Sequence, residues 1–138
     1  MLGTVVDDLR YAPSAEAEHG LRLALTHSDW DIRARAAVAL GWRADGAALH
    51  EELLAALDDE SSEVRAFASR SLGWLEVSAA APGLERLVTD RDAHVRLHAL
   101  RALSRVDPGA ASRLPTLLSL LQDPDPRVAR VARRLSER

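Results

Sequence analysis

Apolar and small residues return at helical spacing in four stretches of the chain: Ile32, Ala36, Leu40; Val64, Ala68, Leu72; Val95, Ala99, Leu103; and Val128, Ala132, Leu135. Each set makes one stripe of period near 3.6, which marks a helix with a buried face. A second apolar pair precedes each stripe, eleven and seven residues before its first member: Leu21 and Leu25, Leu53 and Leu57, Leu84 and Val88, Leu117 and Leu121. The pattern predicts four pairs of helices. No segment sustains the period-two alternation of a half-buried strand. The expected fold class is all-α.

The pairs are copies of one unit. DIRARAAVALGW at 31–42, EVRAFASRSLGW at 63–74, HVRLHALRALSR at 94–105 and RVARVARRLSER at 127–138 align on Ile32, Val64, Val95 and Val128, which lie 32, 31 and 33 residues apart. A period of that size predicts a stacked repeat array, because one unit cannot bury its own apolar face. Three residues before each anchor stands a helix-capping type: Asp29, Ser61, Asp92 or Asp125. Pro126 follows its cap at a position where a missing N–H costs nothing. Pro82 and Pro115 mark a start or kink of two first helices, Gly41 and Gly73 are expected to end two second helices, and DPG at 107–109 punctuates the third connection. The recurring central alanine lets neighbouring helices approach closely. The expected organisation is a single domain, 1–138, with an N-terminal cap at 1–13 and repeats at about 14–44, 45–77, 78–107 and 108–138. Leu2, Val5, Val6 and Leu9 would close the first unit. The basic helix 126–138, with Arg127, Arg130, Arg133, Arg134 and Arg138, would close the last and set cations near a helix C-terminus.

The wording of LPTLLSLLQDPDPRVARVA at 114–132 and APGLERLVTDRDAHVRLHALRAL at 81–103 resembles the HEAT-like repeats of the phycobilisome-lyase type, over about residues 14–138. The resemblance implies a right-handed α-solenoid of about four helical hairpins, with the second helices on the concave side. It implies scaffolding or partner binding far more often than catalysis. It also implies a ladder between stacked units, carried by an aspartate six residues before an arginine: Asp59 with Arg65 and Asp90 with Arg96. The outer units depart from this pattern, with His27 before Arg33 and Asp123 before Ala129. A ladder confined to the middle is therefore expected, as fits a stack that ends after four units.

Composition narrows the function classes. The chain has 138 residues, 47% apolar and 28% charged, enough for one globular domain. No apolar run approaches the roughly 20 residues of a membrane span, and the N-terminus lacks the basic start of a signal peptide. There is no cysteine, hence no disulfide or thiolate chemistry. A cytoplasmic protein is expected. All 18 basic residues are arginine, with no lysine and no asparagine, as GC-rich coding would give. The net charge of −3 argues against a general polyanion binder, though not against a local basic face.

Placed on a helical wheel, residues two and six beyond each anchor are expected to point away from the core: Ala34 and Val38, Ala66 and Arg70, Leu97 and Arg101, Arg130 and Arg134. Arg70, Arg101 and Arg134 would then form a row on the concave face, flanked by Trp42, Trp74 and Arg105 ten positions beyond their anchors, with Phe67 beside Trp74. Arginine and tryptophan suit a groove for an acidic peptide or surface. The competing account is a solvated arginine face with tryptophans closing gaps between repeats. Trp30, in the first turn of a second helix, would be packing or partly exposed. His94 and His98 have a spacing that can hold zinc, but no third ligand is evident there, nor beside His27 or His50. They are expected to be titratable surface residues. Asp7–Asp8, Glu51–Glu52 and Asp58–Asp59 read as caps and solubilising charge.

No catalytic motif is present, and no catalytic acid or pigment-handling residue of the resembled lyases can be placed on the chain. The expected function is a non-catalytic protein-interaction module, an adaptor or scaffold, with no cofactor and no metal, as a monomer or weak homo-oligomer. The alternatives are phosphate-backbone binding through the arginine row, disfavoured by net charge, and an accessory subunit of a lyase-type enzyme.

Overall fold

The computed structural model describes residues 14–43 and 49–137. Among these are nine helices and no strand: α1 (Ser14–Leu25), α2 (Trp30–Gly41), α3 (His50–Ala56), α4 (Ser62–Trp74), α5 (Ala81–Leu87), α6 (Ala93–Val106), α7 (Pro108–Ser112), α8 (Leu117–Leu120) and α9 (Pro126–Ser136). The cap expected at 1–13 and the terminal Arg138 lie outside the described residues. The second helices stack in chain order, α2 on α4, α4 on α6 and α6 on α9, and the first helices α1, α3, α5 and α8 each back their own partner. The described helix pairs form an α-solenoid. DPG does more than punctuate: Asp107 accepts from the Ala110 N–H and starts the extra helix α7, which packs on α6.

All twelve residues of the four stripes are buried, as are Leu21, Leu25, Leu53, Leu57, Leu84, Val88 and Leu117, while Leu121 packs half-buried on the core. Three of the four caps act as expected. Asp29 accepts from the Asp31 N–H, Asp92 from the His94 and Val95 N–H groups, and Asp125 from the Arg127 N–H. Ser61 stands at the cap position but makes no cap bond; its hydroxyl donates to Glu63 Oε2 at 2.9 Å.

Gly41 and Gly73 do not terminate their helices by a left-handed turn. Gly41 is the last residue of α2, Gly73 lies inside α4, and neither has a positive φ. Both are sites of close approach between units. A Cβ on Gly73 would lie 2.9 Å from the Ala102 Cα and Cβ on α6, and one on Gly41 would lie 2.5 Å from the Ser71 Oγ on α4. The left-handed residue that stops α4 is Glu76, at φ 54°. There the Val77 N–H bonds to the Leu72 carbonyl and the Glu76 N–H to the Gly73 carbonyl, the Schellman pairing that normally favours glycine.

The ladder runs through all three junctions and differs from its expected form. Arg33 forks onto both oxygens of Asp59 (2.9 and 3.1 Å), Arg65 onto Asp90 (3.0 and 3.2 Å) and Arg96 onto Asp123 (2.8 and 3.0 Å). Each carboxylate thus pairs with the arginine of the preceding unit. Within its own unit the arginine six residues on reaches backbone and not the carboxylate, Arg65 Nη1 donating to the Asp59 and Glu60 carbonyls and Arg96 Nη1 to those of Asp90 and Arg91. Each aspartate also accepts from the N–H two residues ahead, at Ser61, Asp92 and Asp125, 2.9 Å in all three. In the first unit His27 Nδ1 fills this local role, accepting from the Asp29 N–H at 3.0 Å. The departures at His27 and Ala129 therefore remove no rung between the four units.

The rungs are well covered: the side chains of Arg65 and Asp90 are 9% and 10% exposed. Burial would raise the Asp59 pKa, but the Arg33 fork and the Ser61 N–H outweigh it and hold the carboxyl below the usual carboxylate range. A lowered folded-state pKa means that the rung stabilises the fold above the unfolded value and that this is lost as pH falls through the folded one.

Each of these contacts has a measurable consequence. Asp90→Ala strands a covered guanidinium and should lower unfolding free energy by about 3 kcal/mol in urea denaturation. Stability should fall as pH drops below about 4, and Asp59→Asn should flatten that acid limb. Gly73→Ala should destabilise by about 1–3 kcal/mol through overpacking, whereas Glu76→Gly should raise the melting temperature by relieving about 1 kcal/mol of left-handed backbone cost.

Candidate binding site on the second-helix face

The exposed ridge of each second helix sits elsewhere on the wheel than the apolar stripe alone suggests. Ala34, Ala66 and Leu97, two beyond their anchors, are buried. A helix in the middle of a stack has a neighbour on each side as well as its partner behind, so this position faces the adjacent second helix. The open ridge runs instead through the residues one before and three, six and ten beyond the anchor. On α4 these are Glu63, Phe67, Arg70 and Trp74, and on α6 His94, His98, Arg101 and Arg105. On α2 they are Asp31, Arg35, Val38 and Trp42. The ridge changes along the stack, aromatic and partly acidic on α2 and α4, basic on α6 and α9.

Between α4 and α6 lies a cleft of about 430 Å³ lined by Arg70, Trp74, His98, Arg101, Ser104 and Arg105, with Gly73 and Ala102 at its floor. The close contact of those two floor residues brings the helices together there. Arg70 is half-buried, its guanidinium carbon 4.6 Å from the Trp74 ring centroid and 5.4 Å from that of Phe67, and its Nε is buried without a hydrogen-bond partner. Burial lowers its pKa, though arginine stays charged in proteins. Arg101 and Arg105 are exposed, and among the described residues neither forms an ion pair and no carboxylate lines the cleft. Contrast the ladder arginines, whose forks are fully engaged by aspartates.

The expected residues thus come together in part. Arg70, Arg101, Arg105 and Trp74 share one cleft, with Phe67 against Arg70. Trp42 reaches across a unit junction to Trp74, ring centroids 5.2 Å apart and planes at 73°, while 60% exposed. The tryptophans therefore bridge repeats and remain on the surface. Arg134 is exposed on α9 and does not line the cleft. Trp30 is partly exposed in an open depression with Arg33, Glu60 and Ser61.

His98 was not marked for this cleft, although its register, three beyond the anchor like Phe67, was the available signal. It also borders a second cleft of about 250 Å³ with Glu63, Phe67, Asp92 and His94. Its ring stacks on His94 at 6.3 Å. Burial first, then the charges of Arg70, Arg101, His94 and Arg127, push its pKa down to about 4. It is therefore a neutral wall of both clefts and not a surface group titrating near neutrality. Of the carboxylate pairs, Glu52 binds Arg22 and Asp58 binds Arg86. Among the described residues no three His, Cys, Asp or Glu side chains are placed to hold a metal, and no helix is long and apolar enough to cross a membrane.

This architecture has counterparts. One is a chain in the structure of the complex of CpcE and CpcF of phycocyanin lyase from Nostoc sp. PCC7120, 26% identical over 96% of this chain, TM-score 0.78. This chain spans 56% of that chain's length. An engineered protein is 25% identical with a TM-score of 0.73, covering 99% of this chain and 69% of its own. No curated protein gives a significant match. The family model for HEAT repeats matches residues 50–136, more than half of the sequence. The chain belongs to the HEAT-repeat family.

Proposed function

We propose that the protein is a non-catalytic interaction module that holds the acidic segment of a protein partner on the face of its second helices. The observation that carries this reading is the division among its arginines. Those in the ladder are engaged by carboxylates, whereas Arg70, Arg101 and Arg105 converge on one cleft that no carboxylate lines. A half-buried guanidinium held over the Trp74 ring is preorganised for a planar anion and loses little side-chain freedom on binding. The similar Nostoc chain belongs to a complex of two proteins, which supports a protein as the partner. The same likeness favours a second reading, an accessory subunit of a lyase-type enzyme, in which the face would meet another subunit.

A fluorescently labelled oligoglutamate peptide tests the reading by anisotropy. Arg70→Glu with Arg101→Glu should weaken its binding at least about tenfold, roughly 1.4 kcal/mol, while Arg133→Glu, on α9 outside the ridge, should leave it unchanged. Equal binding by all three proteins would refute the assignment. Affinity for an oligonucleotide that exceeds affinity for the peptide, and that falls steeply with log salt, would assign the face to phosphate backbone instead.

A further inference from the structure

The basic cleft is continuous with an apolar site that an acidic ligand alone would leave empty. Trp42 is 60% exposed and Trp74 37% exposed, and they touch edge to face across the α2–α4 junction. The ridge position that carries arginine on α4 and α6 is Val38 on α2. Moving along the stack, the face changes from valine and indole at α2 to Arg70 on α4, one helix spacing away, and to Arg101 and Arg105 on α6, one spacing further. Trp74 belongs to both regions, its ring centroid 5.2 Å from that of Trp42 and 4.6 Å from the Arg70 guanidinium carbon.

We infer that the captured segment is bipartite, with a bulky apolar side chain seated against Trp42 and Trp74 and carboxylates on Arg70, Arg101 and Arg105. This rests on the proposed function and specifies its ligand. Exposed indoles in contact form an apolar surface that an aromatic or aliphatic side chain covers by stacking, and tryptophan with arginine is the pairing that dominates binding energy at protein interfaces. Adjacent helices lie roughly 8–10 Å apart, a distance an extended chain covers in about three residues. The apolar residue therefore stands about three positions from the acidic run. The distribution of charge selects a peptide over a nucleic acid. Asp31 and Glu63 stand on the same ridge at the starts of α2 and α4. They oppose an unbroken polyanion, but leave room for a ligand whose negative charge is confined to one end.

Three labelled probes separate the possibilities by anisotropy: the capped peptide Phe-Ser-Ser-Glu-Glu-Glu, its variant with serine for phenylalanine, and single-stranded oligothymidylate as the nucleic acid. The phenylalanine peptide should bind at least about tenfold more tightly than the serine variant and shift the tryptophan emission to the blue. Trp42→Ser, at an exposed position, should erase that difference while leaving the serine variant's affinity and the helical circular dichroism intact. Arg101→Glu with Arg105→Glu, both exposed, should abolish binding of both peptides. Equal affinity for the two peptides, or a preference for phenylalanine that survives Trp42→Ser, would overturn the bipartite ligand while the acidic reading stands. Failure of both peptides to bind, or tighter binding of oligothymidylate, would overturn the acidic-partner reading as well.

Discussion

The fork between an arginine of one unit and an aspartate of the next is the contact on which the geometry depends. A stacked array has no distant contacts to correct an error, so each junction must be set by the two units that form it. Apolar stripes supply attraction but little direction, since alanine and leucine tolerate some sliding. A planar guanidinium held at two oxygens and two carbonyls tolerates little. Arg65 ties the loop of its own unit, through the Asp59 and Glu60 carbonyls, to the loop of the next, through Asp90. Because that carboxylate also accepts from the Asp92 N–H, the rung fixes the start of the following second helix too.

The other end of each junction is held by shape. Gly73 against Ala102 brings α4 and α6 into near contact toward their C-terminal ends. With one end set by charge and the other by the absence of a side chain, the two helices are fixed in relation to each other. The cleft between them inherits that rigidity. One residue type serves both purposes, and register decides which: arginine one place beyond the anchor closes a junction, while arginine six or ten places beyond it is presented outward.

The repeat, the helix pairs and the buried stripes were legible because periodicity records burial directly. What failed did so for identifiable reasons. The ladder partners were misassigned because the sequence offers the short spacing from Asp59 to Arg65, whereas the carboxylate's true partner, Arg33, is 26 residues away and visible only once units stack. Gly73 was taken for a helix end, although α4 runs on to Trp74, because the same letter serves a left-handed turn and a close approach. Of the positions set on the open face, six and ten beyond the anchor lie there, but the one two beyond does not, because a wheel with one buried face ignores the flanking helices that cover Ala34, Ala66 and Leu97. His98 was seen as half of a metal-binding spacing, and its place as a shared wall depended on the neighbouring helix. Within the candidate site, Arg70, Arg101, Arg105 and Trp74 were legible and Arg134 was not separated from them, since lattice position alone does not say where a cleft ends.

The rungs also give the array a direction. Every interior unit carries an aspartate facing backward and an arginine facing forward, so such a unit is interchangeable as a block. Excising residues 59–89 would remove one rung aspartate, Asp59, together with one rung arginine, Arg65, and leave Arg33 opposite Asp90. Duplicating the same block would likewise leave every rung aspartate opposite a rung arginine. An array built this way can lengthen or shorten by whole units without first evolving a new interface, while the outward-facing letters of each unit remain free to diverge.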